Sequence, residues 1–194
     1  MSAGNRAIIA AIVVALAQIG FLSWIIAGRA AVLRSGHEVV LKVEPVDPRD
    51  LLRGDYVRLG YEISNVPTNQ IANIAPGQYA SIDSDLYVRV KKGADGYWHL
   101  VSASFDAPLP AATAADEADV KGHVGAGWNL GADTTVGVEY GIERFYLPEG
   151  EGMELQNDMR VRPFGVRVAL GRDGTAQIKT LLDGDKPLYE EPLY

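Results

Sequence analysis

Residues 7–27 read AIIAAIVVALAQIGFLSWIIA, and no charged side chain interrupts them. A bilayer core about 30 Å thick takes about 20 apolar residues at about 1.5 Å each. The run is therefore long enough to span. Trp24 sits near its C-terminal end, where an amphipathic ring suits the headgroup layer. Gln18 is polar at mid-depth and can pair with a second helix. Two other readings are a cleaved signal peptide and a buried core helix. A signal core is shorter, about 7–15 residues, and ends on small residues. Here the cleavage candidate is Gly28-Arg29-Ala30, with a charge beside the cut. The expectation is a retained anchor touching the bilayer through residues 7–27.

The rest of the chain is of another kind. About 165 residues remain, enough for one domain with its own core. The whole chain of 194 residues carries a net charge of −7. Arg6 is the one basic residue before the apolar run, so the remainder holds 17 basic against 25 acidic residues, or −8. Such a surface repels phosphate backbones, which argues against nucleic acid as a partner. It is also a poor match for a peripheral grip on anionic lipid. There is no cysteine. That removes disulfides, thiolate nucleophiles and cysteine-ligated metal sites.

Past residue 36 the pattern turns to strands. Residues 37–44 (HEVVLKVE) alternate well enough for one. Residues 45–50 (PVDPRD) form a loop, since two prolines remove donors and fix φ, and residues 51–55 turn the chain. Residues 56–63 (YVRLGYEI) predict a period-2 strand. Tyr56, Arg58, Gly60 and Glu62 take one face; Val57, Leu59, Tyr61 and Ile63 take the other. Residues 65–77 read as loop or a poor helix, and 79–82 as a short strand. Residues 86–90 and 97–105 flank KKGADG, a hairpin turn. Residues 108–118 read as an exposed loop. Strands are expected at 120–128 and 134–140, joined by a glycine-containing turn, and then at 142–147 as strand or bent edge. Residues 153–159 suit a short helix. A second hairpin pairs 165–170 with 175–182 around Gly171-Arg172-Asp173-Gly174, and a last segment follows at 187–189. The fold expected is mainly β: residues 1–36 as tail, single transmembrane helix and linker, and residues 37–194 as an all-β sandwich or barrel-like domain.

Gly54-Asp55-Tyr56-Val57-Arg58-Leu59-Gly60-Tyr61 fits Gly-Asp-Tyr-x-x-Leu-x-Tyr. That string resembles the signature of the bacterial GDYXXLXY protein family. Residues 45–53, with Asp47, Arg49 and Arg53, resemble its Pro-x-Asp-Pro-Arg lead-in. Residues 140–150 (YGIERFYLPEG), with Glu143, Arg144 and Glu149, resemble its second block. The resemblance implies a membrane-anchored chain. Flanking charge does not decide its orientation, with Arg6 and the terminal amine before the run and Arg29, Arg34 and Lys42 after it. Resting partly on the resemblance, the expectation is the N-terminus inside and the domain extracytoplasmic, hence a periplasmic domain on the bacterial inner membrane. The resemblance extends to relatives fused to polytopic membrane domains, which implies a polytopic membrane protein as partner. It assigns no catalytic residue and no cofactor.

The motif has a structural reading and a binding one. In the first, Gly54 permits a turn, Asp55 caps nearby amides, and Leu59 and Tyr61 pack inward away from Tyr56. In the second, the same residues form a surface for a partner. Arg53-Gly54-Asp55 spells the integrin tripeptide, a chance match inside a longer motif. Residues 51–57 also look like the stretch after the nucleophile in type I signal peptidases. The serine position there falls on Val46, which has no nucleophilic oxygen, and no matching lysine base is present. His37, His99 and His123 are far apart in sequence and read as strand or surface residues. Glu143, Glu149, Glu151 and Glu154, with Asp47 or Asp50, suggest a calcium loop without matching a known spacing. Glu143 with Arg49, Arg53, Arg58 and Arg144 is expected to form a charge network between the two blocks, should they neighbour each other. The reading that results is a non-enzymatic accessory or interaction protein of the envelope. The alternatives are a small-ligand or calcium-binding module, and a hydrolase related in fold to signal peptidase.

Overall fold

An uncharged apolar run with no proline and leucine, isoleucine and alanine throughout becomes helical, because only a helix satisfies its own backbone in lipid. In the computed structural model it is α1 (Ala3–Leu33), with its large apolar side chains turned outward all round. The structure describes residues 3–44, 56–74, 78–79, 83–111, 113–125, 129–130, 134–148 and 150–190. The span Gly4–Leu33 is long and apolar enough to cross a membrane. The helix does not stop where the apolar run stops. Its last turn carries Ala30 and Leu33, three residues apart and so on one face, and both are buried. That face lies against two strands of the domain described below. Gly36, at φ +77°, then turns the chain out of the helix.

Among the described residues the domain has fourteen strands: β1 (Glu38–Glu44), β2 (Tyr56–Arg58), β3 (Gly60–Tyr61), β4 (Asn65–Pro67), β5 (Gln78–Tyr79), β6 (Ser84–Lys92), β7 (Trp98–Phe105), β8 (Glu117–Val124), β9 (Asn129–Leu130), β10 (Thr135–Gly137), β11 (Arg144–Tyr146), β12 (Phe164–Leu170), β13 (Ala176–Asp183) and β14 (Lys186–Glu190). One short helix, α2 (Gly152–Asp158), precedes β12. The larger sheet has the order β14-β13-β12-β1-β3 and the smaller β7-β6-β8. The described residues also form three two-stranded ribbons, β10-β4, β11-β2 and β5-β9. All these ladders are antiparallel. Both sheets feed one core, in which Val39 and Leu41 of β1 join Leu86, Val88 and Val90 of β6 and Val166 and Val168 of β12. Strand β12 is apolar along nearly its whole length. It sits mid-sheet with the core on one face, and the end of α1 lies against it and β13.

The two hairpins form where the turn residues place them. At the second, Gly174 has φ +84°, and its carbonyl accepts from the Lys121 amide at 2.8 Å. A Cβ there would meet Asp119 and Lys121 backbone atoms at 3.0 and 3.1 Å, so only glycine closes this turn onto β8.

Three expectations are corrected. Residues 56–63 are not one strand. The chain changes partner at Leu59, so β2 pairs with β11 and β3 with β1, and residues 62–64 close into a 3-10 turn. The alternation of faces survives the break: Val57, Leu59, Tyr61 and Ile63 are all buried. Of residues 65–77, expected as loop or a poor helix, Asn65–Pro67 instead form strand β4, while Thr68–Gln70 close into a second 3-10 turn. Among the described residues, the strands expected at 120–128 and 134–140, joined by a glycine-containing turn, share no ladder with each other. Strand β8 pairs with β6, β10 pairs with β4, and a single bridge joins His123 to Glu139. The pairing is decided by the distant strands β4 and β6, which the local glycine turn does not encode.

Candidate functional site

The motif and the second block run side by side in opposite directions. Register in the β2–β11 ribbon is Tyr56↔Tyr146, Val57↔Phe145 and Arg58↔Arg144. The ladder goes one bond further, with the Leu59 amide donating to the Glu143 carbonyl at 2.9 Å. Beyond it, Val138 N–H donates to the Ser64 carbonyl at 2.9 Å, and β4 pairs with β10. Between these bonds lie two tyrosines. The Tyr61 hydroxyl donates to the Ile142 carbonyl at 2.6 Å, and the Tyr140 hydroxyl donates to the Ile63 carbonyl at 2.7 Å. Both rings are buried, and burial first, then the nearby Glu143 carboxylate, holds both phenols well above their ordinary pKa.

The period-2 rule sends the two sides of the ribbon to different places. Val57 and Phe145 point into the core. Leu155 and Met159, in and just after α2, are buried near them. Tyr56, Arg58, Arg144 and Tyr146 point outward. The Tyr56 and Tyr146 rings stand 5.9 Å apart and tilted by 56°, and the Arg144 guanidinium lies over the Tyr56 ring at 5.6 Å. Tyr146 is 69% exposed.

This outward face opens onto a cleft of about 480 Å³ between the ribbon, the end of α1 and β13. Arg29 and Leu33 come from the helix, Arg58 and Arg144 from the ribbon, Glu139 and Glu143 from the strand-poor segment between β10 and β11, and Gln177 from β13. Among the described residues, no carboxylate lies within ion-pair distance of Arg29, Arg58 or Arg144. The Glu143 carboxylate instead accepts the Tyr140 backbone N–H. The expected charge network is thus not built by Glu143 with Arg58 or Arg144, because the turn around Gly141 needs that carboxylate as a backbone acceptor.

The remaining candidates separate cleanly. Asp47, Asp50, Arg49, Arg53, Gly54, Asp55 and Glu149, with Val46, lie outside the described residues. Tyr56 and Arg144 stand together on the exposed face, while Leu59 and Tyr61 are core. Glu151 accepts from the Tyr189 hydroxyl, away from the cleft. Among the described residues, no three histidine, aspartate or glutamate side chains gather as a metal site. His99 is a connector: Nδ1 meets Glu62 Oε1 at 2.8 Å, and Nε2 meets Asp95 Oδ1 at 3.0 Å. The hydrogen bonds to Glu62 and then Asp95 raise its pKa. His123 lies 3.0 Å from Asp83 Oδ1 at the surface. Arg29 was not among the residues singled out for the site. Its signal was the pair Ala30 and Leu33, an apolar face continuing past the apolar run.

The fold and the zipped motif together define a class: a β domain carried on one apolar N-terminal helix. A family model described as GDYXXLXY protein matches residues 18–181, and the chain belongs to that family. Neither a curated protein nor a solved structure matches the chain.

Proposed function

We propose that this is a membrane-anchored, non-enzymatic accessory protein of the bacterial envelope, whose extracytoplasmic β domain presents the Tyr56–Arg58 and Arg144–Tyr146 face to a polytopic membrane protein. The observation that carries the reading is the docked end of α1. Ala30 and Leu33 are buried against the domain, which supports a retained anchor over a removable leader. The exposed tyrosine–arginine face supports an interaction role, since these residue types are enriched at binding surfaces. Support for a non-enzymatic role comes from the motif itself. Its tyrosine Tyr61 and leucine Leu59 are structural, and its described outward residues, Tyr56 and Arg58, include no nucleophile paired with a base.

The test is cross-linking in intact membranes, followed by purification of the tagged full-length chain. The expected result is one polytopic protein in near-equal amount, lost with Tyr56→Ala and Arg144→Ala. Recovery of the chain alone would overturn the accessory reading. Because the chain has no cysteine, Ala107→Cys supplies a single label site on an exposed loop. Labelling by an impermeant maleimide in intact cells is expected; labelling only after permeabilisation would place the domain inside.

A further inference from the structure

We infer that the cleft at the foot of α1 holds the phosphodiester headgroup of a bilayer lipid. This rests on the anchor reading above. The height of the cleft follows from helix geometry. The 21 residues of the apolar run measure about 31 Å along the axis, matching a hydrocarbon core of about 30 Å. Arg29 is the second residue beyond the run, about 3 Å further. The headgroup layer extends about 5–8 Å past the core on each side. The helix is continuous to Leu33 and its end is packed on the domain, so the cleft lined by Arg29 is held in that layer. Trp24 at 73% and Tyr146 at 69% exposure are the aromatic types that settle there.

The chemistry of the cleft then selects phosphate. Arg58 and Arg144 are direct partners in the ribbon register, on the same outward face. Like charges directly opposite on adjacent strands destabilise a ladder unless an anion lies between them. Among the described residues, neither arginine has a carboxylate partner, and Arg29 from the helix faces the same cavity without one. Guanidinium groups bind phosphate oxygens through paired N–H donors, and several can share one phosphate. The two carboxylates of the lining do not cancel this. Glu143 is committed to the Tyr140 amide, and Glu139 stands exposed at the rim, where an amine-bearing headgroup would find it. The volume of about 480 Å³ lies within the ordinary range of about 300–1,000 Å³ for a small-ligand site. The net acidity of the domain is no objection, since the positive charge is local and faces the bilayer.

Native mass spectrometry of the full-length chain in mild detergent tests this, titrating phosphatidylethanolamine with diacylglycerol as the phosphate-free lipid and glycerophosphoethanolamine as the tail-free headgroup. Expected is saturable phosphatidylethanolamine binding, at least tenfold weaker in the Arg58→Gln, Arg144→Gln double variant and unchanged in Arg160→Gln, an exposed arginine outside the cleft. Diacylglycerol binding should not depend on these arginines. Equal phosphatidylethanolamine affinity in wild type and double variant would overturn the inference. Tail-free headgroup binding as tight as the lipid would overturn the lipid assignment in favour of a soluble phosphodiester. Should the double variant lose its melting transition, Arg29→Gln on the helix reads the same loss without touching the ribbon. Failure of the anchor reading would show separately, as an intact mass from cells lacking the apolar run.

Discussion

Tyr61 and Tyr140 are reciprocal clasps: each hydroxyl donates to a carbonyl two residues beyond the other, Ile142 for Tyr61 and Ile63 for Tyr140. The final tyrosine of the motif is thereby explained by the second block, and the first residue of that block by the motif. Removing one hydroxyl leaves a buried carbonyl unsatisfied, which costs about 1–3 kcal/mol. Tyr61→Phe and Tyr140→Phe should each lower stability by about that amount. Denaturant unfolding of the full-length chain in detergent checks it, and loss-free variants would show the clasps to be passive.

The same two phenols predict alkaline sensitivity. Their folded pKa values are raised, so their contribution is complete below the unfolded value of about 10 and is lost as pH rises through the folded value. Stability should fall steeply above about pH 10, coincident with late tyrosinate absorbance. In the Tyr61→Phe, Tyr140→Phe double variant that steepness should be gone.

Arg89 and Asp119 form a two-bond pair at 2.8 Å each, with the Arg89 side chain 7% and the Asp119 side chain 18% exposed. Breaking such a pair strands a charge away from water, at about 3–5 kcal/mol when fully buried. Asp119→Ala should therefore cost about 2–4 kcal/mol in the same unfolding measurement. Lys91 with Asp116, half exposed on both sides, should be worth less than about 1 kcal/mol.

His99 ties β7 to Glu62 and Asp95. Its raised pKa means that the bridge contributes fully below about pH 6.5 and fades as pH rises through the folded value. Melting temperature should decline over that interval, and His99→Gln should flatten the decline. An unaltered profile in the variant would assign the pH dependence to other groups.

Gly122 sits where β8 passes under the clasp. A Cβ there would meet Val138 Cγ1 at 2.3 Å and the Tyr140 ring at 3.0 Å. Overpacking of this kind costs about 1–3 kcal/mol. Gly122→Ala should lower the melting temperature and, unlike an exposed glycine change, should do so less in a Val138→Ala background, which removes the closest atom.

Much of this was legible in the residues, and the limits have physical causes. The apolar helix and both hairpins announce themselves locally, through an uncharged run and through KKGADG and GRDG turns. The alternating faces of residues 56–63 were also legible, because side-chain direction follows from period alone. Their division at Leu59 was not, since it is set by β1 and β11, far away in the chain. Charge was expected to join the two blocks should they neighbour each other. Buried tyrosine hydroxyls and backbone carbonyls do so instead, because a carbonyl leaves no mark in a sequence. Arg29 read as a flanking charge of the anchor, and only the docking of Ala30 and Leu33 brings it to Arg58 and Arg144.

The unbroken passage of α1 into the domain has one more consequence. A helix advances about 100° per residue, so the apolar run and the β domain are phased like two teeth on one shaft. With the run in a bilayer, the azimuth of the tyrosine–arginine face about the membrane normal is set by the residue count between Ala27 and Leu33. One alanine inserted after Gly28 would turn that face about a quarter of the way round and raise it about 1.5 Å. A partner helix that meets the face would then have to approach from another side of the anchor.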